Sequence, residues 1–515
     1  MVHDMDVAVF CFAGNCILRS KIFCGNVPGH ILFFTQLARF LLIYIVEQIA
    51  QKKEESMGIS YELARFIAET NYEDIPHAVI ETQKKSILDA VGITLGAAVL
   101  GDGCREFVEL AVENAVGGKN EATVIGFGKK LPAAWAAFAN AAMAHSLDFG
   151  DTQMDAVVHS NASTFPAALA VAEQLGTVSG KELLAALVLG SETACRVSLG
   201  AREDLEKYGW YMPTIYTSFG ATAAVCKLLH LTPEQIVDAL SFNLCQTTCS
   251  AELMNNAKTV VRSVREAFSA RNAVLSAQIA KKGLKGFEEP LEGKLGFYHA
   301  YARDHYDPES VIRQLGEHYY AGELYFKLWP SCAGTHPAII AVQELMKQNP
   351  IRPEEIERVH VVVSKRNQML VEPEEIRKAP ESSIIGKFSI PYTASVAILN
   401  GTVVLDDFWP EALKNENVRK LAARFTYEVN DDWGKAEGMN TEVTIYTCDG
   451  QSFRYFYTEI GTERKDASVE EIEEKVKSCA KHALIPQKNE NLERLMHQIE
   501  TLETAENIKE MTALL

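Results

Sequence analysis

No two cysteines in this 515-residue chain stand at Cys-x-x-Cys spacing, although there are 11 of them. They are scattered, and an odd count in a large chain reads as reduced thiols, which suits a cytoplasmic protein. Cys245 and Cys249 lie one helical turn apart with no histidine at zinc-site spacing, so packing explains them. The chain also lacks a glycine-rich phosphate loop, a nucleophile elbow, a His-Glu-x-x-His pair and a cysteine set for iron–sulfur ligation. What remains is an enzyme with no metal and no cofactor, or no enzyme. Positive charge is in short supply: 50 Lys and Arg stand against 68 Asp and Glu, a net charge of −18. That argues against nucleic acid and against an anionic membrane, whose phosphates need clustered cations. A small anionic substrate stays open, because a few local cations dominate a cleft. The apolar stretch from Ile31 to Val46 is broken by Gln36 and Arg39. Its unbroken part falls short of the ~20 residues a membrane span needs. Residues 1–56 therefore read as an N-terminal extension ahead of Met57.

The length calls for more than one core. From Ile59 to about Gly286, apolar residues recur at helical spacing and nothing alternates like a strand. Ser179-Gly-Lys-Glu182 and Thr232-Pro-Glu-Gln235 are capping boxes. After about residue 320 the texture changes. Val359 to Ser364 is short and β-branched, and Asp449-Gly450 between two alternating segments predicts a hairpin. Thr335 to Lys347, Tyr392 to Leu399 and Trp409 to Phe425 look helical, and Ser468-Val-Glu-Glu opens a charged helical tail. The expected fold class is mainly α with a smaller α+β domain. Its parts are a helical domain over 57–322, a lid domain over 323–458, and C-terminal helices over 459–515 that return to the helical domain.

Three constellations carry chemistry. His145-Ser-Leu-Asp148-Phe-Gly-Asp151-Thr152, with His159 beyond it, packs acids, imidazoles and a hydroxyl between two alanine-rich segments. Small side chains let helices approach closely, which would place this polar stretch at a helix junction, where acid–base groups are held rigidly. Taken singly, Asp148 is more often a cap or surface carboxylate, Thr152 could cap a helix and Asp151 could be solvated, and His145 reads equally as a satisfied core histidine. The second runs from Phe326-Lys327 through Trp-Pro-Ser-Cys-Ala-Gly to Thr335-His336. It presents a fixed cation and a histidine near a helix start, which favours anions, or else a surface lysine and a cap. The third, Lys258 to Arg271, holds Arg262, Arg265 and Arg271. Their planar forks suit carboxylates, and a solvated basic helix face is the alternative.

Together these segments resemble the MmgE/PrpD family across essentially all of residues 57–515. The family's His-x-Leu-Asp-Phe-x-Asp-Thr signature matches His145 to Thr152, and a following histidine matches His159. Its Lys-x-x-Pro-x-Cys…His element matches Lys327, Pro330, Cys332 and His336. Ser86 to Gly92 and Lys387-Phe-Ser-Ile-Pro-Tyr392 look like two further family motifs. The resemblance implies a large helical domain built from both chain ends, a smaller α+β lid, a homodimer, and an inter-domain cleft that takes small di- or tricarboxylates without a metal. It assigns active-site roles to Asp148, Thr152, His159 and Lys327. Two departures stand out. Tyr211 occupies the place of a family histidine, and Arg262 and Arg265 replace a family lysine and histidine.

The expected activity is that of a hydro-lyase like 2-methylcitrate dehydratase. Arg262 and Lys327 would clamp substrate carboxylates and stabilise enolate-like charge. Arg265, His336 and His145 would complete the binding site. His159 would exchange the proton at carbon, Asp148 would orient it, and Thr152 or Tyr211 would serve the leaving hydroxyl. An epimerase or racemase, a decarboxylase, or a non-catalytic carboxylate binder are the alternatives.

Overall fold

The computed structural model describes residues 5–8, 19–22, 58–256, 259–434, 436–459 and 467–515. The chain forms two units, Met1–Gly58 and Ile59–Leu515. In the first, strands Met5–Ala8 and Arg19–Ile22 pair antiparallel. The apolar stretch from Ile31 to Val46 lies outside the described residues.

Within Ile59–Leu515 the buried apolar side chains form two clusters. The larger gathers helices between Ile59 and Ala302 with the C-terminal helices Val469–Ala480 and Asn489–Glu500. At its centre run His77–Leu100 and Gly180–Gly200, both buried along most of their length. Gly180–Gly200 is apolar enough to cross a membrane by composition, yet here it is a core helix. It carries a buried ion pair, with Arg196 Nε 2.6 Å from Glu192 Oε1. The capping boxes at Ser179, Thr232 and Ser468 all form.

Val469–Ala480 packs directly on His77–Leu100, and two glycines one turn apart permit it. A Cβ on Gly92 would lie 2.9 Å from Val476 Cα, and one on Gly96 would lie 3.0 Å from the Cys479 carbonyl. Any larger residue would push the C-terminal helix away.

The smaller cluster surrounds a four-stranded sheet in the order Ser452–Tyr457, Thr441–Thr447, Ile356–Ser364, Phe425–Asn430. The first two strands form the hairpin through Asp449-Gly450, and Gly450 takes the positive φ (85°) that the turn requires. Helix His336–Gln348 packs on that hairpin, and Ile390–Asn400 packs on the helix.

Two expectations need correcting. The stretch read as purely helical contains the short hairpin Ala122–Val124/Lys129–Leu131. Three-residue strands are too brief for alternation to show. Between Trp409 and Phe425 only Glu416–Ala422 is α-helical. Pro410 disfavours helical backbone at Trp409, and Asn415 starts a new helix by accepting from the Asn417 and Val418 N–H groups. Phe425–Asn430 is then a strand, parallel to Ile356–Ser364.

Candidate active site

The alanine-rich helix Ala133–Ala144 is buried on most sides, since methyl-sized side chains let its neighbours close in. It stops at His145, and the chain turns through Asp148, whose φ of 51° is left-handed. That conformation costs a non-glycine residue about 1–2 kcal/mol. Lys327 helps to hold it. Its Nζ donates to the Asp148 carbonyl at 2.9 Å and lies 3.4 Å from carboxylate Oδ1. His145 Nε2 sits 3.5 Å from the same oxygen, while Oδ2 is buried without a hydrogen-bond partner.

A two-residue strand pairing of Thr152 with Tyr325 and Gln153 with Leu324 explains how Lys327, far along the chain, reaches this turn. His159 Nδ1 lies 3.0 Å from both the Asp151 carbonyl and Thr152 Oγ1. A carbonyl only accepts, so the proton sits on Nδ1 and the lone pair on Nε2. The His145 and His159 rings are 4.2 Å apart, centroid to centroid. The Tyr325 hydroxyl lies 2.7 Å from His336 Nδ1, and His336 Nε2 is buried with no partner.

The cations arrive on the segment after residue 260. Arg265, only 2% exposed, donates through Nε to Thr214 Oγ1 at 2.9 Å and through Nη1 to the Arg262 carbonyl, while Nη2 is buried with no partner. Glu266 lies 3.2 Å from it and accepts from Ser163 (2.6 Å), Thr214 (2.8 Å) and Thr217 (3.0 Å). The Arg265 guanidinium stands 4.8 Å over the Tyr211 ring; that of half-buried Arg262 is 5.9 Å from this ring and 4.2 Å from Phe388. Tyr211, at the start of helix Met212–Leu228, is thus an aromatic platform for two guanidiniums.

Burial and the charges of Arg265 and Lys327 set the protonation states. Burial and Arg265 push His145 down to about 4, and burial and Lys327 push His336 to about 3. Burial, then His145 and Lys327, hold His159 well below its usual range. All three imidazoles are neutral near pH 7. Burial alone would raise Asp148, but Lys327, His145 and Arg262 outweigh it and keep the group ionised. Lys387 falls to about 8 through burial. Four cations (Lys327, Lys387, Arg262, Arg265) thus stand near two carboxylates (Asp148, Glu266), with Lys475 and Asp89 beside them as a further ion pair and Asp151 raised to about 7. Unpartnered atoms of His145, Asp148, Arg265 and His336 lie in the same cluster. Such orphans are scarce in a finished interior and suit a site waiting for a polar ligand.

All nine residues given a role in the expected site converge here. Lys327 is not a surface lysine: it is 2% exposed. Asp151 is not solvated either, being 3% exposed. Its N–H donates to Asp89 Oδ2 at 2.9 Å, it accepts from Ser86, and burial and Asp89 raise it to about 7. Arg271 instead lies over Phe138 and Phe268. Cys245 is exposed, so packing accounts for Cys249 alone. Sequence reasoning missed Glu266, Lys475 and Tyr325, and it passed over Lys387 as mere motif. Among the described residues no group of three His, Cys, Asp or Glu side chains is arranged to hold a metal ion.

Known proteins resemble this chain along most of its length. The profile of the MmgE/PrpD N-terminal domain matches residues 61–309, and that of the MmgE/PrpD C-terminal domain matches residues 329–501. The chain is 26% identical over 480 residues (89% of this chain, 97% of the relative) to a cis-aconitate decarboxylase-like protein, oryM, of Aspergillus oryzae. It is 27% identical over 410 residues (76% and 82%) to cis-aconitate decarboxylase of Aspergillus terreus. The human cis-aconitate decarboxylase is 27% identical over 445 residues (82% and 88%).

Proposed function

This chain belongs to the MmgE/PrpD family, and from that premise we propose that it is a lyase that decarboxylates a small unsaturated tricarboxylate of the cis-aconitate type. The observation that carries the reading is the surplus of buried positive charge beside three neutral histidines and several unpartnered polar atoms. A polyanion supplies the missing negative charge and the missing hydrogen-bond partners together. The names of the relatives support the tricarboxylate and the loss of carbon dioxide.

In this reading the Arg265 fork, through its free Nη2, and Lys327 grip the carboxylates that stay. The departing carboxylate leaves as carbon dioxide. Its C–C electron pair moves into the neighbouring double bond, and the resulting carbanion spreads onto a retained carboxylate held by Lys327 and Arg265. The substrate's negative charges reverse the penalty on protonating His159, so Nε2 takes up a proton and delivers it to carbon. Asp148 stays ionised and fixes Lys327 and His145. Tyr211 steadies the two guanidiniums.

A second reading, hydro-lyase action on a hydroxy-tricarboxylate, is favoured by one feature: neutral His159 already carries its lone pair on Nε2, ready to remove an α-proton. One experiment separates the two. Purified protein is incubated in D2O with cis-aconitate and, separately, with 2-methylcitrate, and products are followed by NMR. Decarboxylation yields carbon dioxide and a five-carbon unsaturated dicarboxylate carrying one deuterium on carbon. Water loss yields an alkene from 2-methylcitrate only. No turnover and no exchange with either acid would refute a lyase of this class.

A further inference from the structure

Three lysines from remote parts of the chain converge on three consecutive carbonyls of the turn that carries Asp148. Lys387 Nζ donates to Leu147 O at 2.8 Å, Lys327 Nζ to Asp148 O at 2.9 Å, and Lys475 Nζ to Phe149 O at 2.5 Å. Lys387 and Lys475 are 4% and 6% exposed. Lys475 also pairs with Asp89 and donates to the Lys327 carbonyl at 2.9 Å, which uses all three of its N–H groups. It therefore fixes the backbone beneath Asp148 and beneath Lys327 at once.

A buried ammonium needs anionic or carbonyl partners, and a full carboxylate is the stronger one. Lys387 nonetheless has a neutral carbonyl as its hydrogen-bond partner, so stability alone is a weak reason for a charge there. The turn supplies a better one. Asp148 has a left-handed backbone, and its carboxylate must meet both Lys327 Nζ and His145 Nε2 through one oxygen. Gripping the carbonyls on each side leaves the peptide planes little room to rotate.

We propose that Lys387 and Lys475 are positioning residues for the active site: by holding the carbonyls that flank Asp148, they set its carboxylate against Lys327 and His145. This rests on the lyase reading for its kinetic consequence but not for its geometry. The test compares wild type with Lys387→Met and Lys387→Arg, because methionine fills the same buried volume without charge. Two quantities are read: turnover of cis-aconitate, and the ring 15N signals of His145 in histidine-labelled protein, assigned with His145→Gln.

In Lys387→Met, kcat should fall about 10²-fold with KM within about threefold, as expected when a group is misplaced by roughly an ångström. The His145 signals should shift, and Lys387→Arg should recover most of both. A Lys387→Met protein with kcat within about twofold of wild type, or with unshifted His145 signals, overturns the proposal. If wild type turns over no carboxylate, the lyase reading fails on its own, and the His145 signals still decide the positioning role. Lys475→Met should give the same signature. It also strips Asp89 of its partner and can fail to fold, so the Lys387 pair is decisive.

Discussion

Replacing Asp148 by asparagine removes one charge and almost no volume, which makes it a sharp test of the electrostatics described above. At 3.4 Å and an effective dielectric constant of about 20, the attraction to Lys327 is about 5 kcal/mol. Desolvation of the carboxylate offsets part of this, and deleting one partner of a buried pair typically costs about 3–5 kcal/mol because the other charge stays behind. Lys327 keeps its 2.9 Å bond to the residue-148 carbonyl in the variant, so the loss should fall at the lower end, about 3 kcal/mol. Urea unfolding followed by tryptophan fluorescence measures it, with exposed Asp432→Asn as control.

The pH dependence gives a second handle. Asp148 is held well below the ordinary carboxylate range in the folded protein. Its stabilisation is therefore complete above the unfolded value of about 4 and disappears only as pH falls through the lower folded value. The gap between wild type and Asp148→Asn should stay constant from about pH 5 to pH 8 and narrow only below about pH 4. A gap under about 1 kcal/mol, or one that closes between about pH 6 and pH 8, would refute the argument.

Four other outcomes are expected. His159→Gln should lower kcat by about 10²-fold or more while substrate binding, measured by calorimetry, persists. Arg265→Lys loses the planar fork with its free Nη2, so kcat/KM should drop by about 10- to 150-fold, equivalent to roughly 1.5–3 kcal/mol, in steady-state assays. Asp151 is raised to about 7, so its folded form favours the proton and its contribution to stability falls as pH rises from about 4 through 7; in urea unfolding wild type should lose ground against Asp151→Asn over that range. Gly92→Ala sets a Cβ 2.9 Å from Val476 Cα, and thermal unfolding should show a loss of about 1–3 kcal/mol from overpacking.

Legibility from sequence varied with the range of the interaction. Ser179, Thr232 and Ser468 act on backbone three residues away, so their capping boxes could be read from local spacing. The Asp449-Gly450 hairpin was equally local. Phe425–Asn430 escaped because it pairs in parallel with a strand about 70 residues earlier, and no turn signal marks such a pair. The site shows the same division. His145 to Thr152 and Lys327 to His336 concentrate unusual residue types in short windows. Lys475 sits in a helix dense with glutamate and lysine, where one buried ammonium looks like any solvated one. Glu266 was hidden likewise, since its partners Ser163, Thr214 and Thr217 come from other parts of the chain.

The contact of Gly92 and Gly96 with Val476 and Cys479 has a consequence for biosynthesis. A ribosome releases the histidine-bearing turn long before it makes residue 475, so the nascent polypeptide carries that turn without one of its three ammonium props. The catalytic geometry is therefore completed late in translation, and a premature stop shortly ahead of Lys475 would leave the turn without that prop.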